Sequence, residues 1–537
     1  MYAITPAGPS ALRRRAGKRI PVGGCEVSMP TSSTPQSVHA RTVAGPARIA
    51  RRAAMVTALL LVALDVAPLA AQPPRPELPC ECAAIFARTV TAIETDYVAF
   101  PLEVRDARSL AWRAHVDSLR PHADGADARA CSALLRRLVR FFRDGHLLIV
   151  DRPAGDSAGL PARRGARPRH AISARDPWNE RAVRDSLRAK RTRGIALAPV
   201  EGIWRGPGYR IAVIADDDAR DRATGVVMAV DSGPWMPGQV RAEFVRVNGE
   251  WISTVWDDAF HPRTSPVEFS RGALLRMAPL LWGRVDPAEA LAFVDTLDPR
   301  RPLVAFPDDS TAVVSVVTFD PSHGPALAAS IDREWDRLRE RRRVVIDLRG
   351  NEGGSSGQVL PLLPLLWGDR LLSREEDAPT PADALVRSSP AMIAVWERMG
   401  WAPKGLVDRL RARPGELIPF DPNARVQPPP APRRRPREDQ QVFVLTDGST
   451  VSAAEQVVLW ARRMGRATIV GAPTGGSIDY QSTFLSRVGC ASMGQTLVMP
   501  LIATSGRLPE GGHNATGVLP DRRVSTTGAW LSELVRR

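Results

Sequence analysis

Residues 441–477 read QVFVLTDGSTVSAAEQVVLWARRMGRATIVGAPTGGS: an apolar strand, a turn of small residues, an amphipathic helix and a second apolar strand. Val442, Phe443, Val444 and Leu445 form a short continuous apolar run, the pattern of a strand buried on both faces. Ser452 then opens a helix in which Val457, Val458 and Ala461 share the inner face, and Gly465 supplies the stop. Ala467 to Val470 begins the next strand. This order is a βαβ unit, because parallel strands need a crossover long enough to hold a helix. It constrains the chain to an α/β fold around a buried parallel sheet. The unit also sets Ser452 over the positive end of a helix, where backbone N–H groups stabilise a developing oxyanion. A serine there is by default a helix cap, so other segments decide its role.

With 537 residues, 44% of them hydrophobic, the chain has material for roughly two or three domains. Residues 1–72 read as a leader. Over 80–150 the segments CAAIFARTVTAIETDY, RDARSLAWRAHVDSL and ARACSALLRRLVRFF repeat apolar residues at helical spacing and predict a small helical domain ending at Asp144-Gly145-His146. Residues 151–200, rich in Arg, Pro and Gly, read as a linker with one short helix. From 201 to 285 short alternating runs, an Asn248-Gly249 hairpin turn and Trp204, Trp235, Trp251 and Trp256 predict a β-rich domain with an aromatic core. Strand and helix alternate over 311–525, interrupted at 376–440 by a Pro-rich stretch that reads as an insertion.

The formal charge of +15 suggests nucleic acid until it is located. Residues 1–54 hold nine Arg or Lys against the single Glu26, a net of +8, and Arg433, Arg434, Arg435 and Arg437 form a second knot in the Pro-rich stretch. More than half of the excess therefore lies in the leader. No RNA-binding signature, zinc finger or helix-turn-helix pattern accompanies it, and no nucleic-acid partner is expected. Arg48, Arg51 and Arg52 precede MVTALLLVALDVAPLAA, of signal-peptide length and too short to span a bilayer comfortably. Export is the expectation, to the periplasm or the extracellular space, with no stable membrane span after cleavage. Loss of Cys25 with the leader leaves Cys80, Cys82, Cys131 and Cys490, an even set suited to an oxidising space, with the pairing open. Cys80 and Cys82 lack the second pair and nearby His of a zinc site.

The second chemical element is VVIDLRGNEGG, Val344 to Gly354, a buried strand running into flexible backbone at the carboxyl end of the sheet, where α/β proteins bind ligands. Gly353 and Gly354 allow N–H groups to converge on an anion. No Gly-Lys-Ser/Thr follows, which disfavours a nucleotide. Taken with GSTVSAAEQVV and GRATIVGAPTGG, this segment resembles the S41 serine peptidases, the family of the carboxyl-terminal processing proteases, the tricorn core protease and the interphotoreceptor retinoid-binding protein. The resemblance covers 311–525 and closes on Thr516 to Asp521, TGVLPD, which is similar to the family's terminal Gly-Val-x-Pro-Asp. It implies a crotonase/ClpP-like core of ββα units, Ser452 as nucleophile, and an oxyanion hole from the amide of Gly353 or Gly354 with that of Ala453.

Processing proteases take a lysine as general base. Here GAPTGGS puts Ser477 in the lysine's place, so a Ser/Lys dyad is not expected. The tricorn-like branch uses a histidine ahead of the core, and RDGH, ending in His146, resembles that branch's Asp-Gly-His. Imidazole suits the task because its ordinary pKa lies near working pH. His513 is the alternative base. A triad also needs an orienting group: Glu510 lies where the tricorn-like branch places its glutamate, and Asp479 is the alternative. No PDZ module is recognised; the β-rich segment stands in its place. The expectation is an exported serine-type endopeptidase working through an acyl-enzyme on peptide or unfolded polypeptide, with no metal or other cofactor. The sequence carries no signal for oligomeric state. Two other readings remain: a non-catalytic ligand- or protein-binding homologue on the same fold, and an interaction module using the Trp-rich segment.

Overall fold

The computed structural model describes residues 79–535 apart from 152–179, 288–297, 368–382, 424–433 and the short stretches 207, 217–218, 248, 259, 261, 272, 278–279, 400–401, 491–493 and 527–529. The leader and its signal segment, most of the linker, and Asn248 of the expected hairpin turn therefore lie outside the described residues.

Helices α1 (Cys82–Asp96), α2 (Phe100–Glu103), α3 (Asp106–Leu119) and α4 (Ala128–Val139) turn Ile85, Phe86, Trp112, Val116, Leu135 and Leu138 into one core. Strand β1 (Leu148–Asp151) leaves this bundle. Helix α5 (Glu180–Thr192) lays Val183 and Leu187 on Ile203 and Ala212. Eight strands follow: β2 (Gly202–Gly206), β3 (Tyr209–Asp216), β4 (Ala219–Val230), β5 (Val240–Val247), β6 (Glu250–Trp256), β7 (Pro262–Ser270), β8 (Leu274–Met277) and β9 (Leu280–Asp286). Each pairs with its neighbour and β9 pairs with β2, so the sheet closes into a barrel and has no free edge. Trp204, Tyr209, Trp235 and Trp282 are buried in its core. Arg241 is buried with them, its guanidinium 4.2 Å from the Trp235 ring centre and 4.6 Å from that of Tyr209.

The remaining elements are β10 (Leu303–Asp308), β11 (Thr311–Ser315), α6 (Gly324–Glu340), β12 (Arg343–Asp347), α7 (Leu363–Leu366), β13 (Leu385–Arg387), α8 (Pro390–Arg398), α9 (Leu406–Ala412), β14 (Leu417–Pro419), β15 (Gln441–Thr446), α10 (Ala453–Met464), β16 (Ala467–Gly471), β17 (Tyr480–Arg487), β18 (Gln495–Ala503), β19 (Arg522–Arg523) and α11 (Trp530–Val535). One sheet runs β10-β11-β12-β15-β16-β19, parallel from β11 onward. Val344, Ile346, Val442, Val444 and Ile469 face α6 and α10; Val345, Leu445 and Val470 face Trp530 and Leu534 of α11. Both faces are covered, which is why these strands read as unbroken apolar runs. Helix α11 lies beyond the expected core boundary at 525 and supplies the second cover.

The helical segment shares its core with a later sheet: β1 pairs antiparallel with β18, and Tyr480, Val488, Leu497 and Met499 complete the helical core. Amphipathic helices bury their apolar stripes on whatever strands reach them, and strand pairing across this distance leaves no local pattern. The 376–440 stretch joins the same sheet. Its described part adds β13 and β14 to the β1-β18 sheet and packs Met392, Trp396, Leu406 and Leu410 against Leu501. Prolines there start α8 and sit on an edge strand, roles proline tolerates. Disulfides join Cys82 to Cys131 within the helices and Cys80 to Cys490 beyond β17.

Candidate active site

Ser452 stands between β15 and α10 with φ 57° and ψ −123°, a conformation that costs a non-glycine residue about 1–3 kcal/mol. Burial of Val457, Val458 and Ala461 on the adjoining helix offsets that strain, each buried Val contributing about 1.5–3 kcal/mol. The turn is also tied down. The Ser452 N–H donates to Glu455 Oε2 at 3.0 Å, and the Val451 N–H donates to the Asn351 carbonyl at 3.0 Å. Glu455 is wholly buried and accepts three further bonds, from Ser477 N at 2.7 Å, Gly476 N at 3.0 Å and Thr474 Oγ1 at 2.5 Å. A buried carboxylate with four donors is fully compensated, and it fastens the loop after β16 to the serine turn.

His146 arrives from the other end of the sequence. After α4 the chain reverses at Arg143, φ 51°, and the Asp144 carboxylate takes the His146 N–H at 2.9 Å, Asn514 Nδ2 at 3.3 Å and the Tyr97 hydroxyl at 2.8 Å. The result places His146 Nε2 3.1 Å from Ser452 Oγ. Burial pushes the imidazole pKa down, against the Tyr480 carbonyl and the Glu455 charge, which favour the imidazolium. Nδ1 is buried; the Tyr480 carbonyl biases it electrostatically without the alignment of a formed hydrogen bond. Burial also lifts Asp144 to about 7, although its hydrogen bonds from His146, Tyr97 and Asn514 pull the other way. Ser477 packs directly against Gly145, where an added Cβ would collide with the serine hydroxyl. A long side chain at 477 would displace the turn that carries His146.

The other expected residues separate. Gly353 lies against the serine turn: a Cβ there would come within 2.8 Å of Ala453 N and of the Val451 carbonyl. Its own N–H, however, donates to Asn351 Oδ1 at 2.8 Å. Gly354 and Ala453 line a cavity of about 400 Å³ together with His146, Ser452, Gln456 and Gln481. Glu510 is not brought to the site. It is exposed in a turn, its N–H donating to the Arg507 carbonyl, and no hydrogen bond joins it to His146 among the described residues. The adjoining backbone is held by Asp479, which takes the N–H groups of His513 and Asn514 at 2.8 Å. Asp479 is thereby occupied as well, and His513 meets it through its main chain.

Residues 310–524 match the model of peptidase family S41. This region belongs to peptidase family S41. No curated protein matches the chain. Among solved structures it is similar to mature CPAF, at 13% identity over 83% of this chain and 94% of that one with a TM-score of 0.41. It is similar also to the photosystem II D1 C-terminal processing protease, at 13% identity over 83% and 94% with a TM-score of 0.30, and to the tricorn protease, at 10% identity over 84% and 35% with a TM-score of 0.31. Ser452, Gly354 and Ala453 fall inside the S41 region; His146 and the barrel lie outside it.

Sequence reasoning missed Glu455, Asn351 and Asn514. Glu455 had a legible signal, since Ser-x-x-Glu at a helix start places the acid over the serine's N–H. The two asparagines had none, because their partners come from distant loops. Glu455→Gln in the S41 region is expected to lower stability by about 1–3 kcal/mol, because a neutral amide leaves at least one of four buried donors without an acceptor. Urea denaturation checks this; an unchanged midpoint would show that the carboxylate is dispensable.

Proposed function

We propose that this protein is an exported serine-type endopeptidase with Ser452 as nucleophile and His146 as general base, built on a crotonase/ClpP-like ββα core. The observation that carries the reading is the 3.1 Å approach of His146 Nε2 to Ser452 Oγ, across 306 positions of sequence, at the wall of the cavity. Hydrogen-bond reach is the first requirement of a general base, and a depressed pKa keeps the imidazole neutral to accept the proton. His146 takes the hydroxyl proton as Oγ attacks a peptide carbonyl, the amides of Gly354 and Ala453 stabilise the oxyanion, and the imidazolium protonates the leaving amine. Water, deprotonated by His146, then releases the acyl group. Between Gly353 and Gly354, the second is favoured, because the N–H of the first is engaged by Asn351. With no hydrogen bond from Glu510 to His146 among the described residues, orientation of the histidine falls to Asp144 acting through the main chain. Two disulfides fit an oxidising compartment, and no described helix is long and apolar enough to cross a membrane.

A serine-directed fluorophosphonate separates this reading from a binding homologue. Wild type is expected to be labelled at Ser452, with Ser452→Ala and His146→Ala left unlabelled. Equal labelling of all three would overturn the assignment.

A further inference from the structure

The turn between β7 and β8 reaches out of the barrel and into the carboxyl ends of the parallel strands. Arg271, buried at its tip, donates from Nε to the Arg349 carbonyl at 2.7 Å and from Nη2 to the Asp347 carbonyl at 2.9 Å, and pairs with the Asp347 carboxylate at 3.2 Å. Ser270 Oγ donates to Asp447 Oδ2 at 2.6 Å, and Asp447 Oδ1 accepts the Gly350 N–H at 3.0 Å. Arg276 donates to the Gly350 carbonyl at 2.9 Å and pairs with Glu352. Barrel side chains thus hold the carbonyls of residues 347, 349 and 350.

What they hold is the loop that ends in Gly353 and Gly354. Gly350, Gly353 and Gly354 have φ of 69°, 86° and 135°, conformations that ask for glycine. Glycine gives up the most freedom on ordering, so the loop depends on outside contacts. One residue relays the constraint: Asn351 accepts the Val451 N–H at its carbonyl and the Gly353 N–H at Oδ1, and its Nδ2 donates to the Val316 carbonyl at 3.0 Å. The barrel is therefore one residue removed from both halves of the oxyanion site, although it lies outside the family-matched region.

We infer that the β7–β8 hairpin of the barrel positions the oxyanion loop, with Arg276 as a positioning residue acting through Gly350 and Glu352. The rate consequence rests on the peptidase reading above; the positioning itself does not. Arg271 is too deeply buried to test cleanly, whereas Arg276 is partly exposed and Glu352 is half exposed.

The experiment compares wild type, Arg276→Ala, Arg276→Lys, Glu352→Gln and, as a control at the opposite end of the barrel, Met236→Gln. Backbone hydrogen exchange is followed by mass spectrometry alongside steady-state hydrolysis of a peptide. Arg276→Ala is expected to speed exchange at 350–356 and 451–453 by about tenfold, with the helices unchanged, and to lower kcat about 10- to 100-fold with KM within about threefold; outright loss of an oxyanion donor costs about 10²–10³. Arg276→Lys is expected to recover part of both effects, Glu352→Gln to show a smaller shift, and Met236→Gln to match wild type. Exchange at 350–356 equal to wild type in both Arg276→Ala and Glu352→Gln overturns the inference, as does a rise spread evenly over the chain. If wild type shows no Ser452-dependent turnover, the peptidase reading fails while the exchange data still decide the hairpin's role.

Discussion

Ser452→Ala is expected to lower kcat by about 10⁴- to 10⁶-fold, because nucleophile and base act as a unit and removing either removes the acyl-enzyme route. Folding should be nearly untouched. Alanine keeps the same strained backbone at φ 57°, and the Ser452 N–H bond to Glu455 is made by the main chain. The denaturation midpoint should therefore stay close to wild type while the rate collapses. Ser452→Gly is the companion: it removes the nucleophile as well but relieves the positive φ, and should be more stable than Ser452→Ala by up to about 1 kcal/mol. Hydrolysis by Ser452→Ala within tenfold of wild type would end the nucleophile assignment.

His146→Ala should cost about 10³-fold or more in kcat, and wild-type kcat/KM should carry an acid limb with a known sign. The base works only when neutral, so activity falls as pH drops through the imidazole pKa. Burial lowers that pKa beneath the ordinary histidine value of 6.5, and the limb should lie below 6.5. The same shift reads out in stability. A group that resists protonation when folded contributes stability above its unfolded pKa, lost as pH falls below 6.5 toward the folded value. Asp144 has the opposite sign. Its folded pKa of about 7 against an ordinary 3.8 means stability present in acid and lost as pH rises from 3.8 through about 7. Only His146 faces Ser452, so the rate profile separates the two. An acid limb centred above 6.5, or none, would rule out His146 as the base.

The parts of the fold legible in sequence were those written in short-range patterns. Apolar runs marked β12, β15 and β16, helical spacing marked α1, α3, α4 and α10, and aromatic alternation marked the strands of the barrel. The closure of β9 on β2 was not legible, because closure depends on strand tilt and twist summed over all eight strands. The candidate site divides in the same way. The strand-to-helix turn of Ser452 and the Gly-rich loop are local, whereas the grip of Asp479 on the amides of residues 513 and 514 joins segments more than thirty positions apart.

The sequence by itself determined a mixed α/β chain with a parallel unit, a serine on its strand-to-helix turn and a flexible glycine loop at the same end of the sheet, because hydrophobic period and turn residues act within a few positions. Tertiary structure alone decided that Cys80 meets Cys490, that β1 pairs with β18, that the Gly353 amide is engaged by Asn351, and that a barrel hairpin grips the loop from outside. Each of these depends on which groups meet after the chain has closed on itself. Donors and acceptors from residues hundreds of positions apart must be satisfied together once buried, and the pattern of any one segment carries no record of its partner.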